Sequence, residues 1–208
     1  MREWTGDVRA DDDDGDEKDA DKKKKGPAIN DRLLEARTLI IAEEVSDALY
    51  RKVATMLTLL ERKDKSAPIT AFINSPGGSA DSGFAIYDLF RFSPCPIVTV
   101  ANGVVASSAV LIFLGGAQGK RVSMPNARFL LHQPSTAARG QASDIDITAK
   151  EISKIRRRYN EIVAEVTGRA LDVVEKDADR DFWLSAQEAV TYKLANKIVN
   201  RRSDLEEL

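Results

Sequence analysis

The stretch Ala67–Gly116, APITAFINSPGGSADSGFAIYDLFRFSPCPIVTVANGVVASSAVLIFLGG, switches hydrophobic period repeatedly within one short span. APITAFINSPGG has the pattern of a buried strand ending in a Pro-Gly-Gly turn. SADSGFAIYDLFRF follows with helical spacing and halts before Pro94 and Pro96. IVTVA is a β-branched strand, and SSAVLIFLGG is a short buried helix closed by glycines. Strand, helix, strand and helix in direct succession predict an α/β fold, a parallel sheet assembled from βαβ units.

The neighbouring segments extend this pattern. Upstream, RTLIIAEEVSD predicts a strand at Thr38–Ile41. Leu49, Val53, Met56, Leu57 and Leu60 then recur at helical spacing, with Ser46 or Asp47 as the cap. Downstream, KRVSMP and ARFLLHQP are strand-like. In SDIDITAKEISKIRRRYNEIVAEVTG, Ile145, Ile152, Ile155, Tyr159, Ile162 and Val166 mark one face of a long helix that stops at Thr167-Gly168. Such a helix exceeds what a small core needs, so packing against another subunit is expected. ALDVVEKDA is helical, Ser185 and Glu188 are spaced as a capping box, and NKIVN is a closing strand.

The 208 residues, 43% of them hydrophobic, suffice for one domain with a sizeable core. A net charge of -2 gives no field that would gather nucleic acid or an anionic membrane. The single cysteine, Cys95, excludes an internal disulfide framework and a multi-cysteine zinc site, and fits a reducing, cytoplasmic setting. No uninterrupted apolar run has the character of a membrane span, and the first residues lack the order of a secretory signal. Residues 1–28, with DDDDGDEKDADKKKK, hold too little apolar content to offset ordering entropy and are expected to form a disordered charged tail. The folded domain is expected over 29–208.

The uncharged run from Thr99 to Gly116 contains two adjacent serines. A strand that turns into a helix there presents unpaired N–H groups to a developing oxyanion, so a serine at the turn can be a nucleophile. Close packing and helix capping are the ordinary uses of the same residues. His132, the only histidine, ends an apolar strand, where α/β folds gather their chemistry. NSPGGS, Asn74–Ser79, brings two glycines to a strand end and lets backbone amides approach a ligand. An acid to orient the imidazole is offered by Asp177, Asp179 and Asp181, among which spacing does not choose.

FINSPGGSADSGFAIYDLF, GVVAS, LLHQPS with GQASDIDITAKEI, and TGRALDVVEKDADRDFWLSAQEAVTYKLANKIV together resemble the ClpP family, the proteolytic subunit of the Clp protease. The blocks run from about Leu33 to Val199 in family order and spacing. The resemblance implies a ClpP/crotonase-like fold, a spiral of repeated βαβ units with a protruding handle helix. It implies a serine endopeptidase with Ser107 as nucleophile, His132 as base, Asp181 as acid, and the amides of Gly78 and Ser108 as oxyanion hole. Gln133–Ala142 would supply a strand beside the substrate, and Asp179 and Arg180 would link two stacked seven-membered rings. Phe72, Phe92, Val100, Val122, Met124 and Val199 would form docking pockets for an AAA+ unfoldase such as ClpX, ClpA or ClpC. Substrates would be unfolded polypeptides, with neither nucleic acid nor membrane as partner. The unfoldase would consume the ATP, and this subunit would need no metal or cofactor.

The chain also departs from the pattern. The Asp/Lys tail stands where relatives carry an apolar pore-lining segment. Thr70 and Asn102 stand where the docking pockets are usually apolar or aromatic. Ser108-Ala109 replaces a common Met-Gly, a change that keeps the backbone amide. A non-catalytic ring subunit and a crotonase-like acyl-CoA enzyme are the alternatives, and the intact Ser, His and Asp set argues against both.

Overall fold

The computed structural model describes residues 29–135 and 139–208. The expected tail, residues 1–28, lies outside them. Helix α1 (Ile29–Glu35) leads into strand β1 (Thr38–Ile41). Helix α2 (Asp47–Lys63) starts at Ser46, whose hydroxyl accepts from the Leu49 amide at 3.3 Å. Its face of Leu49, Val53, Leu57 and Leu60 is buried, and Met56 packs partly buried beside them. Strand β2 (Ile69–Ser75) is followed by helix α3 (Ala80–Phe92), capped by Ser79 and ended just ahead of Pro94. Strand β3 (Ile97–Ala106) runs into helix α4 (Ser108–Leu114), every residue of which is buried.

The remainder comprises β4 (Arg121–Ser123), β5 (Arg128–Leu131), α5 (Ala142–Thr167), α6 (Leu171–Asp177), β6 (Phe182–Ser185), α7 (Ala186–Thr191), β7 (Lys197–Ile198) and α8 (Ser203–Glu206). A parallel path β1-β2-β3-β4-β7 forms one arm of the sheet. The other arm leaves from β3, which pairs with β5, and β5 pairs antiparallel with β6.

Strand β3 is longer than the IVTVA core expected from β-branching, because it bends rather than ends at Asn102-Gly103. Gly103 has φ 97°, and a Cβ there would lie 2.6 Å from Asn74 Oδ1. That oxygen accepts from the Val104 amide at 3.0 Å and holds the bend. Thr99–Ala101 pair with β4 before the bend, and Val104–Ala106 pair with β5 after it. One strand thereby serves both arms.

Helix α5 is the protruding handle. Residues 141–147 are exposed, including Ile145 at 43% and Ile147 at 59%, and full burial begins only at Tyr159. Gly168, at φ 69°, accepts the left-handed conformation that ends it. Helix α1, strand β6 and helix α8 are additions to the sequence reading. FWLS is too short to display a period, and its strand character depends on β5 as partner. In the segment expected to lie beside substrate, the described residues Gln133–Ser135 and Arg139–Gln141 pair with no strand of this chain, and its boundary is corrected because Ala142 already begins α5. Pro134 has no N–H to give a ladder, and no strand among the described residues lies beside it as a partner. Residues 136–138 of that segment lie outside the described residues.

Candidate active site

Ser107 occupies the turn between β3 and α4 with φ 56° and ψ −127°, a sparsely populated conformation for a residue with a side chain. Neighbours impose it. The Ser107 amide donates to Leu130 O at 2.9 Å, which ties the turn to β5. The Val110 amide donates back to Ser107 O at 2.9 Å. Gly77 passes so close that a Cβ there would meet Ser107 Cβ at 2.7 Å and Ala106 O at 2.6 Å. Gly83 similarly lets α3 press on α4, where an added Cβ would meet Ser108 Cβ at 2.9 Å.

Gly78 forms an isolated parallel bridge with Val45. The Val45 amide donates to Gly77 O and the Ser79 amide to Val45 O, both at 2.8 Å. Gly78 itself, at φ 147°, keeps its own N–H out of any backbone bond among the described residues. Ser108 is the first residue of α4, so its N–H also lacks a helical acceptor. Both residues line a cavity of about 290 Å³ together with Ser107 and His132. Phe84, Leu111, Ile152 and Ile155 supply its apolar wall, the last two from the handle. Tyr159, also on the handle, donates its hydroxyl to Ser107 O at 3.4 Å. Burial pushes the Tyr159 hydroxyl far above the ordinary tyrosine value, so it stays a neutral donor. Sequence reasoning saw in Tyr159 only a helix-face residue. The signal was a hydroxyl-bearing ring on a face otherwise made of isoleucine and valine.

His132 directly follows β5, and Asp181 directly precedes β6. The pairing of Leu131 with Phe182 makes them the next opposed positions. His132 Nδ1 and Asp181 Oδ1 lie 3.8 Å apart. The two other aspartates are engaged elsewhere: Asp177 Oδ2 accepts from Tyr192 OH at 2.9 Å, and Asp179 Oδ1 pairs with Arg156 Nη2 at 3.3 Å. Gln133 Nε2 donates to Asp179 O at 2.8 Å, so the strand end and the acid-bearing turn are bonded directly. Arg180 is exposed. Ser107 Oγ and His132 share the cavity, and no hydrogen bond joins them in this isolated chain. The side chain of His132 is 28% exposed and that of Asp181 is 69% exposed. Among the described residues no group of three or more His, Cys, Asp or Glu side chains is placed to hold a metal ion.

Of the residues expected to dock an unfoldase, Val100, Val122 and Val199 form a small second apolar cluster with Val98, and Phe72 and Met124 pack against it. Leu205 and Leu208 from the C-terminal end join the same cluster. Phe92 stands apart at the end of α3, 88% exposed. No described helix is long and apolar enough to cross a membrane.

Known proteins resemble this chain in sequence and in fold. The ATP-dependent Clp protease proteolytic subunit 2 of Treponema denticola is 42% identical over 180 residues, which cover 86% of this chain and 90% of that protein. A point mutant of ClpP1 from Listeria monocytogenes superposes with a TM-score of 0.79 at 38% identity, covering 86% of this chain and 99% of its own. The family model described as Clp protease matches residues 21–202. With nearly the whole folded chain accounted for in sequence and in structure, the chain belongs to the Clp protease family.

Proposed function

We propose that this chain is a serine endopeptidase, the proteolytic subunit of an ATP-dependent Clp protease, with Ser107, His132 and Asp181 as its catalytic residues. The observation that carries the residue assignment is the strained Ser107 turn, opening on one cavity with His132 and with the amides of Gly78 and Ser108. Ser107 Oγ attacks the scissile carbonyl as His132 takes its proton. The Gly78 and Ser108 amides receive the oxyanion, where one such donor contributes about 10²–10³ in rate. Asp181 faces Nδ1 and fixes the tautomer that leaves the other ring nitrogen free to act as base. The protonated His132 then gives its proton to the leaving amine, and water hydrolyses the acyl-enzyme by the reverse use of the same groups.

The 3.8 Å separation of His132 and Asp181 is longer than a hydrogen bond, a looseness common in catalytic pairs before substrate binds. Stacking of two seven-membered rings through the handle would order the turn that carries Asp181. Supporting this are the exposed Ile145 and Ile147 on the handle and the bond of Asp179 to Arg156 within it. Polypeptide would be delivered by an AAA+ unfoldase such as ClpX, ClpA or ClpC, which uses the ATP, and this subunit would need no metal or cofactor. The apolar cluster around Phe72 and Val199 offers that unfoldase a docking surface, and the cytoplasm is the setting that fits. The crotonase-like and non-catalytic alternatives are not favoured, since the relatives named above are proteolytic subunits or built like one. A serine-reactive fluorophosphonate, with peptide mapping and a His132→Ala control, tests the assignment. Label on Ser107 that disappears in the control is the expected result, and an unlabelled double ring overturns it.

A further inference from the structure

A second cavity, of about 440 Å³, opens where the ends of α3, α5 and α7 meet the start of β4. It shares no lining residue with the cavity around Ser107. Its lining includes Arg91, Gln118, Arg121, Glu165, Lys193 and Asn196. Arg121 is only 6% exposed, yet it has no carboxylate partner among the described residues. The stem and Nε of Arg121 are buried while its unpaired terminal nitrogens still reach solvent, so a charge that no carboxylate answers is presented at the cavity.

The surroundings hold that charge in place rather than relieve it. Arg121 Nε donates to Leu194 O at 3.0 Å. Its main chain is clamped by Asn196, whose Oδ1 accepts from the Arg121 amide at 2.9 Å and whose amide donates to Arg121 O at 2.6 Å. Burial, and then the like charge of Arg91, pull the Arg121 guanidinium below the ordinary arginine value. The two terminal nitrogens of Arg121 and the side-chain NH₂ of Asn196 carry no hydrogen bond among the described residues, and both residues line the cavity.

We propose that this cavity binds a small oxyanion of the phosphate class, held by Arg121 from below and by Arg91 and Lys193 at the rim. The charge balance selects the class. Three cations, Arg91, Arg121 and Lys193, against one carboxylate, Glu165, leave a formal charge of +2. A dianion matches that excess, whereas a single carboxylate leaves half of it unanswered. The planar fork of arginine suits bidentate contact with phosphate oxygens. The ligand is inorganic phosphate or the phosphoryl end of a nucleotide, which share this chemistry.

Isothermal titration of the full chain with inorganic phosphate, against chloride at equal ionic strength, tests the site without reference to peptidase activity. Saturable binding is expected, weakened roughly tenfold by Arg91→Gln or Lys193→Gln, which remove one charge-assisted donor each from exposed positions. Glu165→Gln, which removes the opposing charge, is expected to tighten it. A parallel titration with ADP distinguishes the sources: equal affinity assigns the phosphoryl group alone, and clearly tighter binding assigns a nucleotide. No saturable phosphate binding in the wild-type chain, or binding unchanged by both rim substitutions, overturns the proposal.

Discussion

At the scale of single residues, the three aspartates before β6 show how geometry separates chemically identical groups. Asp181→Asn is expected to lower kcat by roughly 10³–10⁴, because the amide no longer holds the productive imidazole tautomer. Peptide hydrolysis by the assembled protein checks this. Asp177→Asn is expected to act on stability instead, since its carboxylate receives the hydroxyl of the buried Tyr192. Thermal melts alongside the same peptide assay separate the two effects. Ser107, His132 and the Gly78 turn were legible as candidates because their residue types are tied to strand ends and to a turn that needs glycine. Spacing did not choose the acid, and Asp181 came only from the resemblance, because what sets it opposite His132 is the β5–β6 register, a contact between segments some fifty residues apart.

At the scale of elements, α4 is positioned by what lies against it. Gly83→Ala would bring a methyl within 2.9 Å of Ser108 Cβ and 3.0 Å of Ser108 O. Such overpacking costs about 1–3 kcal/mol, and it would act through the very helix start that carries the candidate oxyanion amide. Chemical denaturation and fluorophosphonate labelling rate are expected to fall together. The capping box of α7 is a second case. Ser185 Oγ accepts from the Glu188 amide at 3.3 Å, while the Glu188 carboxylate accepts from the Ser185 amide at 2.8 Å. Ser185→Ala is expected to cost about 1 kcal/mol in a melt. The amide and hydroxyl of Ser185 hold the Glu188 carboxyl below its usual value. A carboxyl lowered by folding stabilises fully above its unfolded value near 4.5, and that contribution is lost as pH falls through the lower folded value. The wild-type advantage over Glu188→Gln should therefore shrink on acidification, which melts at a series of pH values would read. Long elements such as α2 and α5 were legible from period alone. Strand β6 was not, because four residues show no period without their partner.

At the scale of the whole molecule, a surface ion pair of Arg156 and Asp179 joins the handle to the turn before Asp181. An exposed pair of this kind contributes roughly 0–1 kcal/mol to one chain, so its removal should scarcely move a monomer's melting curve. If the turn also bridges rings, Asp179→Ala and Arg180→Ala should shift sedimentation from double to single rings and reduce peptidase activity in parallel. Loss of activity with the double ring intact would contradict the coupling. The alternation of strand and helix made the central sheet readable, whereas its division into two arms depended on the bend at Gly103.

That division carries a consequence for how the chain is made. Emergence from the ribosome is vectorial, so the parallel arm and the serine turn are synthesised well before the turn that holds Asp181. Strand β6 pairs only with β5, which in turn pairs with β3, and Asp181 directly precedes β6. A chain stalled or truncated before β6 would own the proposed nucleophile and base, Ser107 and His132, but lack Asp181. Under the proposed assignment, the order of the elements delays competence until the segment that carries Asp181 has been made.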